Sequence, residues 1–200
     1  MIIEAQIRGR LATTDQEVLK AALHEITQLR KQITDIPVNS IPWLTEARKH
    51  LGLQEYPGSK HNPQILEWWR KIRAPFTDDE TPWCAAFVGG CLEAVGIVSS
   101  RSAAARSYNN WGVKIDAPAV GCIVVFWRGS RDGWKGHVGY CVGQDIRGRL
   151  LILGGNQGNR VSIAPKPHVR VLSYRWPKSH PLPSGRDLPV LEGAMTSGET

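Results

Sequence analysis

One cysteine stands where a thiol can do chemistry. In "TPWCAAFVGGC", residues 81–91, Cys84 follows Pro-Trp just as an apolar helical pattern begins. A thiol is an effective nucleophile only as thiolate. A helix N-terminus supplies partial positive charge and free N–H groups, which lower the thiol pKa and can also hold an oxyanion. With Thr81 as N-cap and Pro82 at the first helical position, Cys84 is expected at about the third position, within reach of that field. The bland alternative, a small core residue, stays open for Cys84 alone.

A nucleophilic thiol needs an imidazole partner. Of the six histidines, His24 falls on an N-terminal helical segment, His50 near a helix end, and His168 and His180 beside prolines near the C-terminus. His61 sits in a turn before a helix and is kept as a substrate contact. His137 differs: it opens a predicted strand in "KGHVGYCVG", and small neighbours leave its ring room and access. The third element should accept from the second ring nitrogen. "LLILGGNQGN" ends a strand at Asn156, which a hairpin would bring beside the start of the His137 strand. Asn156 is therefore the expected orienting residue, with Gln157 second.

Other residues near these motifs suit a substrate. Trp83, Tyr108, Trp111, Trp127 and Trp134 surround them in sequence, and Trp83 and Trp134 are assigned to the groove. Asp78-Asp79-Glu80 precedes the nucleophile. Asp79 and Glu80 are expected to receive a cationic group of the substrate, or else to favour the helix N-terminus; both readings stay open. Cys91, Cys122 and Cys141 lie among apolar neighbours and read as buried thiols. None of the cysteines forms a CxxC pair, which argues against a structural zinc site. The chemistry calls for no metal or cofactor.

The elements that must position these groups divide the chain into three parts. Residues 1–38 contain an amphipathic helix over 14–34, with a Thr14/Glu17 capping box and Val18, Ala22, Ile26, Leu29 and Ile33 on one face. It reads as an appendage. Residues 41–177 form the main domain, and 178–200, rich in proline and glycine without period, read as a mobile tail. The first half of the main domain is helical. "PWLTEARKHLG" puts Leu44, Ala47 and Leu51 on one face, and "NPQILEWWRKIR" has Asn62 as N-cap and Pro63 first. The helix that starts near Thr81 ends at Gly96. Gly89 and Gly90 inside it suggest close approach to another backbone. The second half turns to short β-rich runs, "GCIVVFWR", "GHVGYCVGQ", "RLLILGGN", "RVSIAP" and "HVRVLSYRW". Helices first and strands later predict α+β, with an antiparallel sheet on the Cys84 helix.

Composition narrows the partners. A net charge of +7 favours polyanions. The basic residues are scattered and no nucleic-acid motif appears, so an anionic wall or membrane surface fits better than nucleic acid. No apolar run reaches the length of a membrane span. No basic-then-apolar leader opens the sequence, so synthesis in a reducing cytoplasm is expected. A monomer is expected.

The four segments "DDETPWCAAFVGGCLEAVGI", "GCIVVFWRG", "GHVGYCVG" and "LILGGNQGNRVSIAP" resemble the CHAP-type and NlpC-type cysteine peptidases, which cut peptidoglycan. The similarity is greatest to a phage-associated branch with a Pro-Trp-Cys helix start, a Gly-His-Val strand and a Gly-Gly-Asn-Gln strand end. It covers about residues 41–177. It implies a papain-like fold with Cys84 as nucleophile, His137 as base and Asn156 as polar third residue. Many CHAP members carry a glutamate two residues before that asparagine. Gly154 stands there in this chain, so a Cys-His-Asn triad is implied rather than a carboxylate-assisted tetrad. The resemblance further implies an endolysin, held in the cytoplasm until released across the inner membrane to reach the wall. An inactive module of a phage particle and another thiol acyl-transfer enzyme are the alternatives.

Overall fold

The computed structural model describes residue 20, residues 41–182 and residues 187–191. The expected helix over 14–34 lies outside them. The chain divides into a unit up to Pro37 and a unit from Val38 onward, and all the elements below belong to the second.

Helix α1, Pro42–Arg48, buries Trp43, Leu44 and Ala47. The indole N–H of Trp43 donates to the Gly121 carbonyl at 2.7 Å, which pins the helix to the start of the sheet. The helix stops three residues before Leu51, so that side chain leaves the buried face and is exposed. Helix α2, Pro63–Lys71, begins as expected: the Asn62 side chain accepts from the Gln64 N–H at 3.0 Å and Pro63 is the first helical residue. It turns Ile65, Trp68 and Trp69 inward.

Helix α3, Cys84–Ala94, starts later than the sequence suggests. The Thr81 N–H donates to Asp78 Oδ1 at 2.6 Å, so residues 78–81 close a turn of their own, and Thr81 is not the N-cap. Cys84 is consequently the first helical residue rather than the third. Every residue from Cys84 to Leu92 is buried, as a helix apolar all round requires. A side-chain carbon at Gly89 would collide with Ile72, and one at Gly90 with Trp68. The close approach expected there is real, but it is to side chains of α2 and its end rather than to another backbone.

The sheet has the order β1-β6-β2-β3-β4-β5, with β1 Val113–Ile115, β2 Ile123–Trp127, β3 Gly136–Gln144, β4 Leu150–Gly154, β5 Ser162–Lys166 and β6 Val171–Trp176. All neighbours are antiparallel. The three-residue strand β1 is too short to show a period in sequence. Strands β2, β3 and β4 are buried, β3 and β4 pack against α3, and the Tyr140 hydroxyl on β3 donates to the Val88 carbonyl at 2.7 Å. The α+β arrangement is the expected one.

Part of the expected mobile tail is bound. The Gln144 N–H donates to the Pro189 carbonyl and the Leu191 N–H to the Gln144 carbonyl, each at 2.9 Å. Leu191 is buried, and Gly143 has no side chain because Pro189 and Leu191 occupy that space.

Candidate active site

Cys84 opens α3 and is 6 % exposed, while Cys91, Cys122 and Cys141 are fully buried. Burial pushes the Cys84 thiol up. The N–H groups of Val138 and Ala85 and the charge of Arg128 oppose this without cancelling it, so the net shift is above the ordinary value. The helix N-terminus alone would lower it. Desolvation wins, and the resting group is a thiol.

His137 is the second residue of β3 and is 6 % exposed. Burial, then the charges of Lys166 and Arg128, drive its pKa down to about 3 against a partial opposing effect of Gln157. The imidazole is neutral at physiological pH. No hydrogen bond among the described residues joins Cys84 to His137. They are neighbours through β3, because Val138, whose N–H acts on the thiol, follows His137 directly. Such contacts commonly tighten only when substrate is bound.

The side chain that meets the imidazole in the structure is that of Gln157, the second candidate, and not that of Asn156. Gln157 Oε1 lies 3.2 Å from His137 Nε2. Its amide nitrogen donates to the carbonyls of Ser162 at 2.7 Å and Ile152 at 3.1 Å. The nitrogen is thus committed, the oxygen faces the ring, and Nε2 must carry the proton. Nδ1 is left bare to accept from a thiol. Asn156 has a left-handed backbone, φ 56°, and its Nδ2 donates to Glu55 Oε1 at 2.8 Å, away from the imidazole. Gly154 explains the exchange. A side-chain carbon there would sit 3.0 Å from His137 Nε2 and 3.1 Å from Gln157 Cδ, in the gap through which Gln157 reaches the ring. Gly155 lets the same turn rest on Trp83 and Phe87 at the start of α3.

Glu55 escaped the sequence reading. Its Oε1 accepts from the Trp83 indole N–H at 2.7 Å and from Asn156 at 2.8 Å. Its own N–H donates to the Asn159 carbonyl at 3.0 Å. One carboxylate therefore ties the residue before the nucleophile to the residue before the orienting glutamine. A lone glutamate in "LQEYPG", 28 and 101 positions from its partners, gives no local signal.

Several other assignments change. Trp83 is fully buried, stacked on Trp68 at 5.7 Å between ring centroids, and cannot wall a groove. Asp79 is fully buried and accepts from the N–H groups of Asn62 at 2.8 Å and Tyr56 at 2.9 Å and from His61 at 2.9 Å. Burial works to raise its pKa, but these donors prevail and hold it low. It fastens the 56–62 segment and has no side chain to offer a substrate cation. His61 is engaged with it. Glu80 is exposed. Trp134 is 82 % exposed on the β2–β3 turn, with Lys135 over its ring, and lies outside the cleft beside His137. That cleft, of about 130 Å³, is lined by His137, Asn156 and Gln157 on one side and by Trp127, Arg128, Lys166 and Arg170 among others. Among the described residues no three of His, Cys, Asp and Glu come together as a metal site would need.

A thiol at a helix start, a neutral imidazole on the adjoining strand and an amide against that imidazole are the kinds of group that cysteine hydrolases use. Residues 76–156 match the CHAP domain. The CHAP match contains Cys84 and His137 and ends one residue short of Gln157. The order of helices and antiparallel strands agrees with the papain-like α+β fold of CHAP domains. Glu55 lies outside the CHAP match, upstream of it. No curated protein matches the chain.

Proposed function

We propose that this chain hydrolyses an amide bond in the peptide stem of peptidoglycan, with Cys84 as nucleophile and His137 as base and acid. The observation that carries the reading is the hydrogen bond from His137 Nε2–H to the pinned oxygen of Gln157, which leaves Nδ1 to take the proton of the Cys84 thiol. The CHAP match, which contains Cys84 and His137, supports the substrate class.

The steps follow from these positions. His137 Nδ1 accepts the thiol proton as sulfur attacks the carbonyl carbon. The backbone N–H of Cys84, in the first turn of α3 where no intrahelical acceptor exists, faces the developing oxyanion. The imidazolium gives its proton to the leaving amine, and the C–N bond breaks. His137 then takes a proton from water as the water attacks the thioester, and returns it to sulfur when the C–S bond breaks. Gln157 holds the Nε2–H throughout and stabilises the transient imidazolium.

The finer reading is an endolysin, a monomer that acts on the wall once a barrier is breached. The +7 charge favours adsorption to an anionic wall and should lose that effect as salt rises. The test is digestion of purified peptidoglycan followed by mass analysis, with Cys84→Ala as control. New stem-peptide termini that need Cys84 support the reading. Intact muropeptides with a Cys84 that still forms acyl adducts on other amides would replace it with a different acyl-transfer activity.

A further inference from the structure

The cleft beside His137 has an uneven charge. Arg128, Lys166 and Arg170 line it, and no aspartate or glutamate does. None of the ion pairs among the described residues uses Arg128 or Arg170. The Arg170 guanidinium instead lies over the Trp127 ring at 5.3 Å from its centroid, which fixes its place on the wall. Arg128 follows Trp127 at the end of β2, whose register sets Phe126 opposite His137. Its charge reaches both reacting groups, since it acts on the His137 imidazole and on the Cys84 thiol. Cations placed this way disfavour protonation of the imidazole, while Arg128 also favours the thiolate, and together they leave a positive wall open to a negative group.

The position of the cleft says which half of the substrate that is. His137 must protonate the leaving amine, so the amine-side half of the substrate passes over His137 and into this cleft. Resting on the proposed stem-peptide reading, we infer that the cleft formed by Trp127, Arg128 and Arg170 is a carboxylate subsite that selects substrates with an anionic residue on the amine side of the scissile bond. Guanidinium groups suit a planar carboxylate, which they bind in bidentate fashion. The bound carboxylate also offsets the charge that depresses His137, so the base becomes more readily protonated when the correct substrate is seated. In stem peptides one group with this chemistry is the free α-carboxylate of a glutamyl residue linked through its side chain, which amidation would neutralise.

Two measurements test this on the full chain. The first is the rate of Cys84 alkylation by iodoacetate relative to iodoacetamide, followed by mass, since the other three cysteines are fully buried. Relative to the parent, this ratio should fall about fivefold in Arg128→Gln and further in Arg128→Gln/Arg170→Gln, as expected for partly exposed charges. It should also fall as salt rises. The second is kcat/KM on two synthetic stem peptides that differ only in a free or amidated glutamyl α-carboxylate. The parent should prefer the free acid about tenfold, and Arg128→Gln should lose most of that preference. An alkylation ratio unchanged in both variants, or equal turnover of the two peptides, overturns the subsite. A charge-dependent alkylation ratio with neither peptide cleaved keeps the subsite and overturns the stem-peptide reading.

Discussion

Gln157 Oε1 lies 3.2 Å from His137 Nε2, across a gap that exists because residue 154 has no side chain. The two facts belong together. A side chain at 154 would fill the gap, since its first carbon would already sit 3.0 Å from His137 Nε2. With glycine there, the longer amide of Gln157 folds back from the turn and takes the place. Gln157→Ala should therefore lower kcat on the order of 100-fold, by weakening the proton transfer of the imidazole that it holds in place. Asn156→Gly, which suits the left-handed backbone at 156, should lower it far less. Kinetics on a soluble stem peptide decides this, and the reverse ranking would restore Asn156 as the orienting residue.

Cys84→Ala should abolish turnover with an unchanged circular dichroism spectrum. Cys91→Ala should keep turnover while losing about 1 kcal/mol of stability, because Cys91 is fully buried and its sulfur fills space within α3. Denaturant melts and a turnover assay on both variants separate the two roles. An active Cys84→Ala protein would remove the nucleophile from the mechanism.

The depressed His137 pKa has consequences for activity and for stability. The unfolded histidine takes a proton near its ordinary 6.5, and the folded one only near about 3. Between these values the unfolded chain binds more protons. Stability is thus fully present above about 6.5 and falls as pH drops toward about 3, with a limiting slope of about 1.4 kcal/mol per unit from this group. His137→Phe should flatten that slope in melts taken across the same window. For the same reason the acid limb of kcat/KM should lie well below 6.5. An acid limb at the ordinary histidine value would show that the imidazole is solvated in the working enzyme.

Much of this site was legible in the sequence, and the reasons are physical. Cys84 and His137 stand out because each sits at the end of a periodic element, where local pattern carries information. Asn62 and Pro63 mark the start of α2 through capping chemistry that acts over two residues. The choice between Asn156 and Gln157 was not legible, because it depends on a left-handed φ and on the space at Gly154. Asp79 and Trp83 were misplaced for a related cause. Proximity in sequence to a nucleophile does not say whether a side chain points outward, and both turn inward to anchor the 55–62 segment. The start of α3 moved because Asp78 closes a turn on Thr81 that competes with capping.

Glu55 gives the last prediction. Its Oε1 accepts from both Trp83 and Asn156, so it fixes the spacing between the start of α3 and the turn that carries Gln157. It touches neither the thiol nor the imidazole in the structure and acts as a positioning residue. Glu55→Ala leaves the buried Trp83 N–H without its acceptor, at a cost of about 1–3 kcal/mol, and frees the turn. Turnover should fall about tenfold or more, chiefly in kcat, because a small misplacement of His137 against Cys84 weakens proton transfer more than substrate binding. Glu55→Gln keeps one carbonyl oxygen able to accept both bonds and should recover most of the activity. Trp83→Phe removes one of the two bonds, and its effect should be non-additive with Glu55→Ala, as expected for partners in one network. A Glu55→Ala protein with parental kcat, or a Glu55→Gln protein as impaired as Glu55→Ala, would show that this carboxylate does not set the geometry of the site.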